Sequence, residues 1–408
     1  MFAIAVIALV LTALLAYVNA RFIGLPTTIG VMAIAMLMSL AVVLFDHMDV
    51  SNLARYQVDF LRSIDFSQVL MEGMLSILLF AGALHIDLGA LRRYRWQVGV
   101  LAVLGTIAST FIVGMAVWWL LPWFGLTLPF AWCMLFGALI SPTDPIAVIG
   151  ILKSAGASGD VGLVVSSESL FNDGVGIVLF TVLLGMAGQG VTPSLETSGM
   201  LLLQQAGGGL LFGALLGWAT LRLLRKIDDH NVEVLLTLAC VLGGYELAHA
   251  LHVSGPLAMV VVGLIIGNHG RNAAMSETTR LSVDMFWGLL DEILNAVLFM
   301  LIGLEIAVIS FPSRSLLASL CVILIVLGAR LLTVGMPVLL MRGWFRLPPR
   351  SWKILTWGGL RGGISVALAL SLPLGSHRDL ILTLTYSVVV FSILGQGLTI
   401  KRLIAGPR

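Results

Sequence analysis

The sequence predicts an all-α polytopic membrane protein of about thirteen transmembrane helices. These form two inverted-topology repeats in which the fifth and twelfth spans are interrupted and cross. The inverted repeat is read from the breaks in the fifth and twelfth spans, whose odd offset of seven gives them opposite orientation; three observations predict the helices. Hydrophobic residues make up 59% of the chain and charged residues 11%, with a mean hydropathy of +1.05; a soluble domain carries about 45–50% apolar and about 25% charged residues. The apolar residues gather in runs near the length of about 20 residues that a hydrocarbon core of about 30 Å requires of a helix. Basic residues alternate between the two ends of those runs.

Taken in order, the run 2–20 has no preceding basic region and is followed by Arg21. It reads as a first span with its N-terminus outside, not as a cleavable leader. The run 23–45 is the second span, and 46–66, the longest polar stretch, reads as a loop of amphipathic character. Spans 67–90 and 97–121 flank Arg92, Arg93 and Arg95. The fifth, 129–152, is broken by Pro142 and Pro145, and the sixth, 161–188, carries a cluster of polar residues. In the seventh, 200–225, Gly207, Gly208, Gly209 and Gly213 predict a close helix-packing face. Spans 232–250, a short 254–269, 284–308 and 315–341 follow. The twelfth, 351–373, holds Trp357-Gly358-Gly359-Leu360-Arg361-Gly362-Gly363, a weak helix, and the thirteenth is 379–402. No soluble tail is expected beyond it.

Charge distribution tests the count. Loops after odd-numbered spans, with the C-terminal end, hold 17 of the 23 basic residues; loops after even-numbered spans hold only Arg55, Arg62, Arg314 and Arg378. Basic loops stay in the cytoplasm, which places the C-terminus there and the chain in the cell inner (plasma) membrane. The net charge of +2 is spread over these loops, without the clustered basic face that nucleic acid requires. Cys133, Cys240 and Cys321 lie in apolar runs without metal-ligand spacing or a disulfide pattern. No phosphate loop or dinucleotide fingerprint is present. The reading is a carrier without a cofactor, not an enzyme.

Carboxylates at bilayer depth mark function. Asp144 lies in Ser141-Pro142-Thr143-Asp144-Pro145. The two prolines remove backbone donors and leave the carbonyls of Ala138 and Ser141 without helical partners, a condition tolerated at that depth where carbonyls line a cavity or meet a cation. A packed proline kink is the plainer account, but two prolines bracketing Thr-Asp favour a site. In the sixth span Glu168 and Asn172 are four apart, as are Ser169 and Asp173, which sets one polar arc on an apolar helix. Its oxygens suit a monovalent cation or a proton; a purely structural polar network is the alternative. Arg330 and Arg361 place permanent positive charge inside spans, and Glu168 is a natural mate for one of them. Helix ends at a break carry partial charges, which Asp144 and Arg361 can neutralise where the interrupted spans cross. Glu72, Glu246, Asp291, Glu292 and Glu305 read as lining a funnel or a subunit contact. Trp118, Trp119, Trp123 and Trp132 read as interfacial anchors.

Four motifs in order, Ser141–Pro145, Glu168–Gly174, Phe299-Met300-Leu301-Ile302-Gly303-Leu304-Glu305 and Gly359-Leu360-Arg361-Gly362-Gly363, resemble the cation:proton antiporter-1 family, which includes bacterial NhaP-type sodium/proton antiporters. The resemblance implies a homodimer. It implies dimerisation-domain helices in 1–95 and 229–312, core-domain helices in 96–190 and 313–408, and a linking helix in 191–228. By similarity Asp173 binds the cation (Na⁺, also Li⁺) or the proton, with Ser169, the Thr143 carbonyl and Glu168 completing the shell. Asn172 supports Asp173, Arg330 pairs with Glu168, and Arg361 is left to the helix crossing beside Asp144. Exchange of one cation for one proton by alternating access is the expected activity, with membrane lipids as surroundings. K⁺/H⁺ exchange on the same fold, a passive channel and an intramembrane aspartyl hydrolase are the other readings. The last needs two equivalent carboxyls, which these motifs do not supply.

Overall fold

The break at residues 141–145 and a second at 358–362 organise the molecule, and helices surround them. The computed structural model describes residues 2–47, 57–59, 73–154, 159–189, 195–270, 275–307, 309, 312–348 and 350–405. Most of the loop 46–66, with Arg55 and Arg62, and Glu72, Arg271 and Arg408 lie outside the described residues.

Helix α1 (Phe2–Val18) runs on through a π-helical turn, Asn19–Ile23, and stops at Gly24, whose φ of 73° only glycine adopts without penalty. Helices α2 (Thr27–His47) and α3 (Leu75–Leu84) follow. Asp87 caps the short helix Leu88–Leu91 by accepting from the backbone of Gly89 and Ala90. Residues Arg95–Phe124 form one long helical stretch, whose central part is α4 (Thr106–Leu120). Two half-length helices, α5 (Phe130–Ile140) and α6 (Ile146–Ser154), stand on either side of the first break. Next come α7 (Gly159–Gln189), α8 (Leu195–Leu224), α9 (His230–Ala250), α10 (Gly255–Ile265) and α11 (Glu277–Glu305). Asp229, Ser254 and Ser276 cap the last three, which fixes where each begins. Helix α12 (Ser313–Arg330) continues through a π-helical turn, Leu331–Gly335, into α13 (Met336–Leu340). Two more half-length helices, α14 (Ser351–Trp357) and α15 (Gly363–Leu370), flank the second break. Helix α16 (Ser376–Val390), a π-helical turn Phe391–Gln396 and α17 (Gly397–Ala405) end the described chain.

Among the described residues, nine helical stretches are long and apolar enough to cross a membrane, and Leu75–Leu84, Phe130–Ile140 and Gly255–Gly270 are shorter apolar helices. Each of the thirteen predicted runs holds a helix, and the fifth and twelfth each hold two short ones. The bundle's outer face is apolar: Leu203, Leu211, Leu215 and Leu235 are exposed, as lipid contact requires. Trp118, Trp119 and Trp123 are also exposed, while Trp132 is partly buried against the ring of His377. A Cβ added to Gly213 would lie 2.6 Å from the carbonyl oxygen of Ala258, so the glycines bring α8 onto the backbone of α10. Gly207, predicted to share that face, points to open space because it sits off the stripe of Gly209, Gly213 and Gly217.

Two apolar clusters hold the bundle. The larger includes Phe136, Leu139, Val164, Phe299 and Tyr386. The smaller gathers Phe80, Val241, Met259, Val262 and Trp287 from α3, α9, α10 and α11.

Candidate ion-binding site

The two breaks meet. The backbone N–H of Asp144 donates to the carbonyl of Leu360 at 2.8 Å, and the two residues form an isolated antiparallel bridge. The prolines explain why the chain is free to do this, because residues 141–145 have left the helical ladder. Of the two carbonyls the prolines orphan, that of Ser141 accepts from Nη1 of Arg361 at 2.5 Å, and the same nitrogen donates to the Pro142 carbonyl at 2.9 Å. A guanidinium thus sits at the negative C-terminal end of α5. At the opposite end of the gap, Asp144 Oδ1 accepts from the backbone N–H of Ile146 at 2.9 Å and caps α6. The second break is braced by side chains of the π-helical turn before α17. Ser392 Oγ accepts from the backbone N–H of Arg361 at 2.8 Å and donates to Gln396 Oε1, while Gln396 Nε2 donates to the Trp357 carbonyl at 2.9 Å.

The glycines of the second break make room for charge. A Cβ on Gly359 would land on the guanidinium of Arg330, and one on Gly362 would land on the carboxylate of Asp144. Gly176 of α7 lies equally close to the Pro142 ring. No larger residue fits these contacts without displacing a functional side chain.

On α7 the predicted arc faces the first break. Arg330 donates through Nη1 to Glu168 Oε1 and through Nη2 to Oε2, both at 2.7 Å, and through Nε to the Leu355 carbonyl at 3.2 Å. The pair is buried, and this two-pronged geometry is the one in which mutual attraction offsets desolvation. Asn172 is fully engaged: Nδ2 donates to Glu168 Oε1 and to Thr143 Oγ1, both at 2.8 Å, and Oδ1 accepts from the Thr143 backbone N–H at 3.1 Å. Thr143 Oγ1 also meets Ser169 Oγ at 3.0 Å. Glu168, Asn172, Thr143 and Ser169 therefore form one satisfied network tying α7 to the break.

Asp173 differs. It is buried, yet its side chain borders a cavity of about 630 Å³ shared with Thr143, Asp144, Ser166, Asp291 and Glu292. Among the described residues no hydrogen bond holds its carboxylate. One wall of the cavity comes from the first break, α6, α7 and α15, the other from α3, its C-terminal end and α11 through Ala81, His85, Asp291 and Asn295. On that far wall Asn295 Nδ2 donates to Asp291 Oδ1 at 3.0 Å. The site thus offers one unrestrained carboxylate, hydroxyls beside it and free volume around it, which suits a small cation or a proton.

All eight sequence-predicted site residues, Asp173, Ser169, Thr143, Glu168, Asn172, Asp144, Arg330 and Arg361, come together at the crossing. Of the five acidic residues expected to share a funnel or a subunit contact, Asp291 and Glu292 line the cavity. Glu305 is buried at the other end of α11, fourteen positions from Asp291, and Glu246 is exposed on α9; neither borders it. Sequence reasoning missed Asn295, Ser392 and Gln396. Asn295 has a signal in its spacing of four from Asp291, and Ser392 and Gln396 in their spacing of four from each other; what the spacing does not show is that the latter two also hold backbone groups of a distant segment.

Paired broken helices around a buried carboxylate at membrane depth define the class: a secondary carrier of small cations. The fold agrees with a solved structure of the sodium proton antiporter MjNhaP1 from Methanocaldococcus jannaschii, with a TM-score of 0.76 at 20% identity over 98% of this chain and 96% of that one. Residues 9–406 match the family described as sodium/hydrogen exchanger, transmembrane, and the chain belongs to that family. It is 53% identical over 399 residues to the Na⁺/H⁺ antiporter NhaP of Pseudomonas aeruginosa, covering 97% of this chain and 94% of the relative. It is 36% identical over 351 residues to the Na⁺/H⁺ antiporter NhaH of Halobacillus dabanensis, covering 83% of each.

Proposed function

We propose that the protein exchanges Na⁺, and also Li⁺, for H⁺ across the cell inner membrane, one for one, with Asp173 as the group both ions share. The observation that carries this reading is the contrast between two neighbouring carboxylates. Glu168 has both oxygens taken by Arg330 and Asn172. Asp173 is left to face the cavity. Glu168 and Arg330 cancel, so Asp173 alone changes charge during the cycle. A proton and a cation then occupy it by turns, and each transfer moves the same charge.

In this reading Ser169 and Thr143 supply neutral oxygens to the cation, and Asn172 holds Thr143 in place from the helix side. Glu168 borders the shell as a fixed, neutralised charge. Asp144 and Arg361 keep the two broken helices together without touching the ion. Residues 96–190 and 313–408 act as the mobile core, 1–95 and 229–312 as the dimerisation domain, and 191–228 as the link between them. The position of the cavity between α7 and α11 supports that division. The working form is a homodimer, with the N-terminus outside and the C-terminus in the cytoplasm. K⁺ uses the same oxygens as Na⁺ and is the second substrate to compare.

The test is Asp173→Asn in proteoliposomes under an imposed pH gradient, read with a pH-sensitive dye on addition of Na⁺, Li⁺ or K⁺. Cation-dependent proton flux is expected to disappear, and its survival would defeat the proposal. The unmutated protein is expected to run at a rate independent of an imposed membrane potential.

A further inference from the structure

Between Glu305 and Asp379 the sequence holds eight lysines and arginines and no aspartate or glutamate. Four of the eight, Arg342, Arg346, Arg350 and Lys353, fall within twelve residues at the turn joining α13 to α14. The turn is ordered by its own backbone bonds: Arg346 N–H donates to the Arg342 carbonyl at 2.9 Å and Lys353 N–H to that of Arg350 at 2.9 Å. Gln97 Nε2 donates to the Trp344 carbonyl at 2.8 Å and pins the turn to the helical stretch that begins at Arg95.

This turn encloses a pocket of about 80 Å³ lined by Arg342, Arg350 and Ser351 over an apolar floor of Phe345, Leu347 and Trp352. A single water needs about 10–15 Å³ on this measure, so the pocket takes a group with several oxygens. Among the described residues no carboxylate pairs with Arg342 or Arg350. Leu340, Met341 and Trp344, beside the pocket, are 74%, 50% and 38% exposed. Two guanidiniums converging on a small pocket, next to an exposed apolar strip at the end of a membrane helix, match one ligand chemistry: a phosphate oxygen cluster joined to an acyl chain.

We propose that this pocket binds the phosphate headgroup of an anionic phospholipid, held by Arg342 and Arg350, with its chain along Leu340 and Met341. The pocket opens directly onto α14. That helix supplies the Leu355 carbonyl to Arg330 and leads into Arg361, so an occupied pocket steadies the segment that holds Arg330 and carries Arg361. The inference does not depend on which ions are exchanged.

The experiment uses the purified full chain in detergent, as extracted for mass spectrometry and stripped of lipid for titration. Native mass spectrometry reads retained lipid, and tryptophan fluorescence follows titration with phosphatidylglycerol, phosphatidylcholine or inorganic phosphate. The unmutated protein is expected to retain one phosphatidylglycerol per chain in preference to phosphatidylcholine. Arg342→Gln/Arg350→Gln is expected to bind it about thirtyfold more weakly, from about 1 kcal/mol for each basic residue at an anionic surface. Arg92→Gln/Arg93→Gln removes equal charge elsewhere and is expected to leave retention unchanged. Equal loss in both doubles would reduce the effect to diffuse surface charge and overturn the site. Saturation by inorganic phosphate, with no preference for phosphatidylglycerol, would overturn the lipid assignment in favour of a soluble anion. If the double variant does not elute as a single species, the two single variants and the lipid preference of the unmutated protein decide the matter.

Discussion

Replacing Arg330 by methionine isolates the energetic role of the pair with Glu168. Methionine fills most of the volume of the side chain and carries no charge. Glu168 would keep one of its three donors, Asn172 Nδ2 at 2.8 Å, and lose both guanidinium contacts at 2.7 Å. Removing one partner of a buried pair costs about 3–5 kcal/mol, because the survivor stays charged and unpaired. Glu168→Gln strands the guanidinium and is expected to cost a similar amount. Glu168→Gln/Arg330→Met removes both charges, and such paired replacements are often close to neutral. The double variant should therefore be more stable than either single one, with a coupling energy of at least about 3 kcal/mol. Unfolding in mixed micelles, followed by circular dichroism as the denaturing detergent is raised, measures all four proteins. Losses that add to within about 0.5 kcal/mol would refute the claim that the two residues act as a unit.

Arg361→Gln takes the guanidinium from the carbonyls of Ser141 and Pro142, contacts worth about 1.5–3 kcal/mol each when charge-assisted. Transport in proteoliposomes is expected to fall at least tenfold, and an unchanged rate would show that the crossing holds without it. Gly359→Ala drives a methyl group onto Arg330 and should destabilise by about 1–3 kcal/mol. Gly243→Ala on α9, where nothing lies within 4 Å, serves as the control for that unfolding measurement. Competition at one carboxylate fixes the sign of the pH dependence. As pH falls, the apparent KM for Na⁺ should rise, about tenfold per pH unit once Asp173 is mostly protonated, while the maximum rate at saturating Na⁺ holds; initial rates at several pH values check it, and a constant KM would exclude a shared site.

The helices were legible because lipid demands long apolar runs, and the first break because Pro142 and Pro145 cannot stay in a ladder. The arc of Glu168, Ser169, Asn172 and Asp173 followed from helical spacing, and the choice of Arg330 over Arg361 as the partner of Glu168 rested on family resemblance. Other features depend on segments that meet only in three dimensions. Gly359 and Gly362 read in sequence as weak helix, yet each leaves space for a charged side chain from another helix. The N–H and hydroxyl of Thr143 are held by Asn172 and Ser169, contacts between α7 and the first break that the sequence does not show. Glu305 shares α11 with Asp291 but sits about four helical turns away, which a tally of acidic residues within one span does not register.

The backbone link between Asp144 and Leu360 restricts how an ion can be handed from one side to the other. A hinge within residues 141–145 would pull that link apart and scatter the oxygens around the cargo. In the proposed cycle both broken helices travel as one piece, and the passage opens and shuts along the cavity that faces α3 and α11.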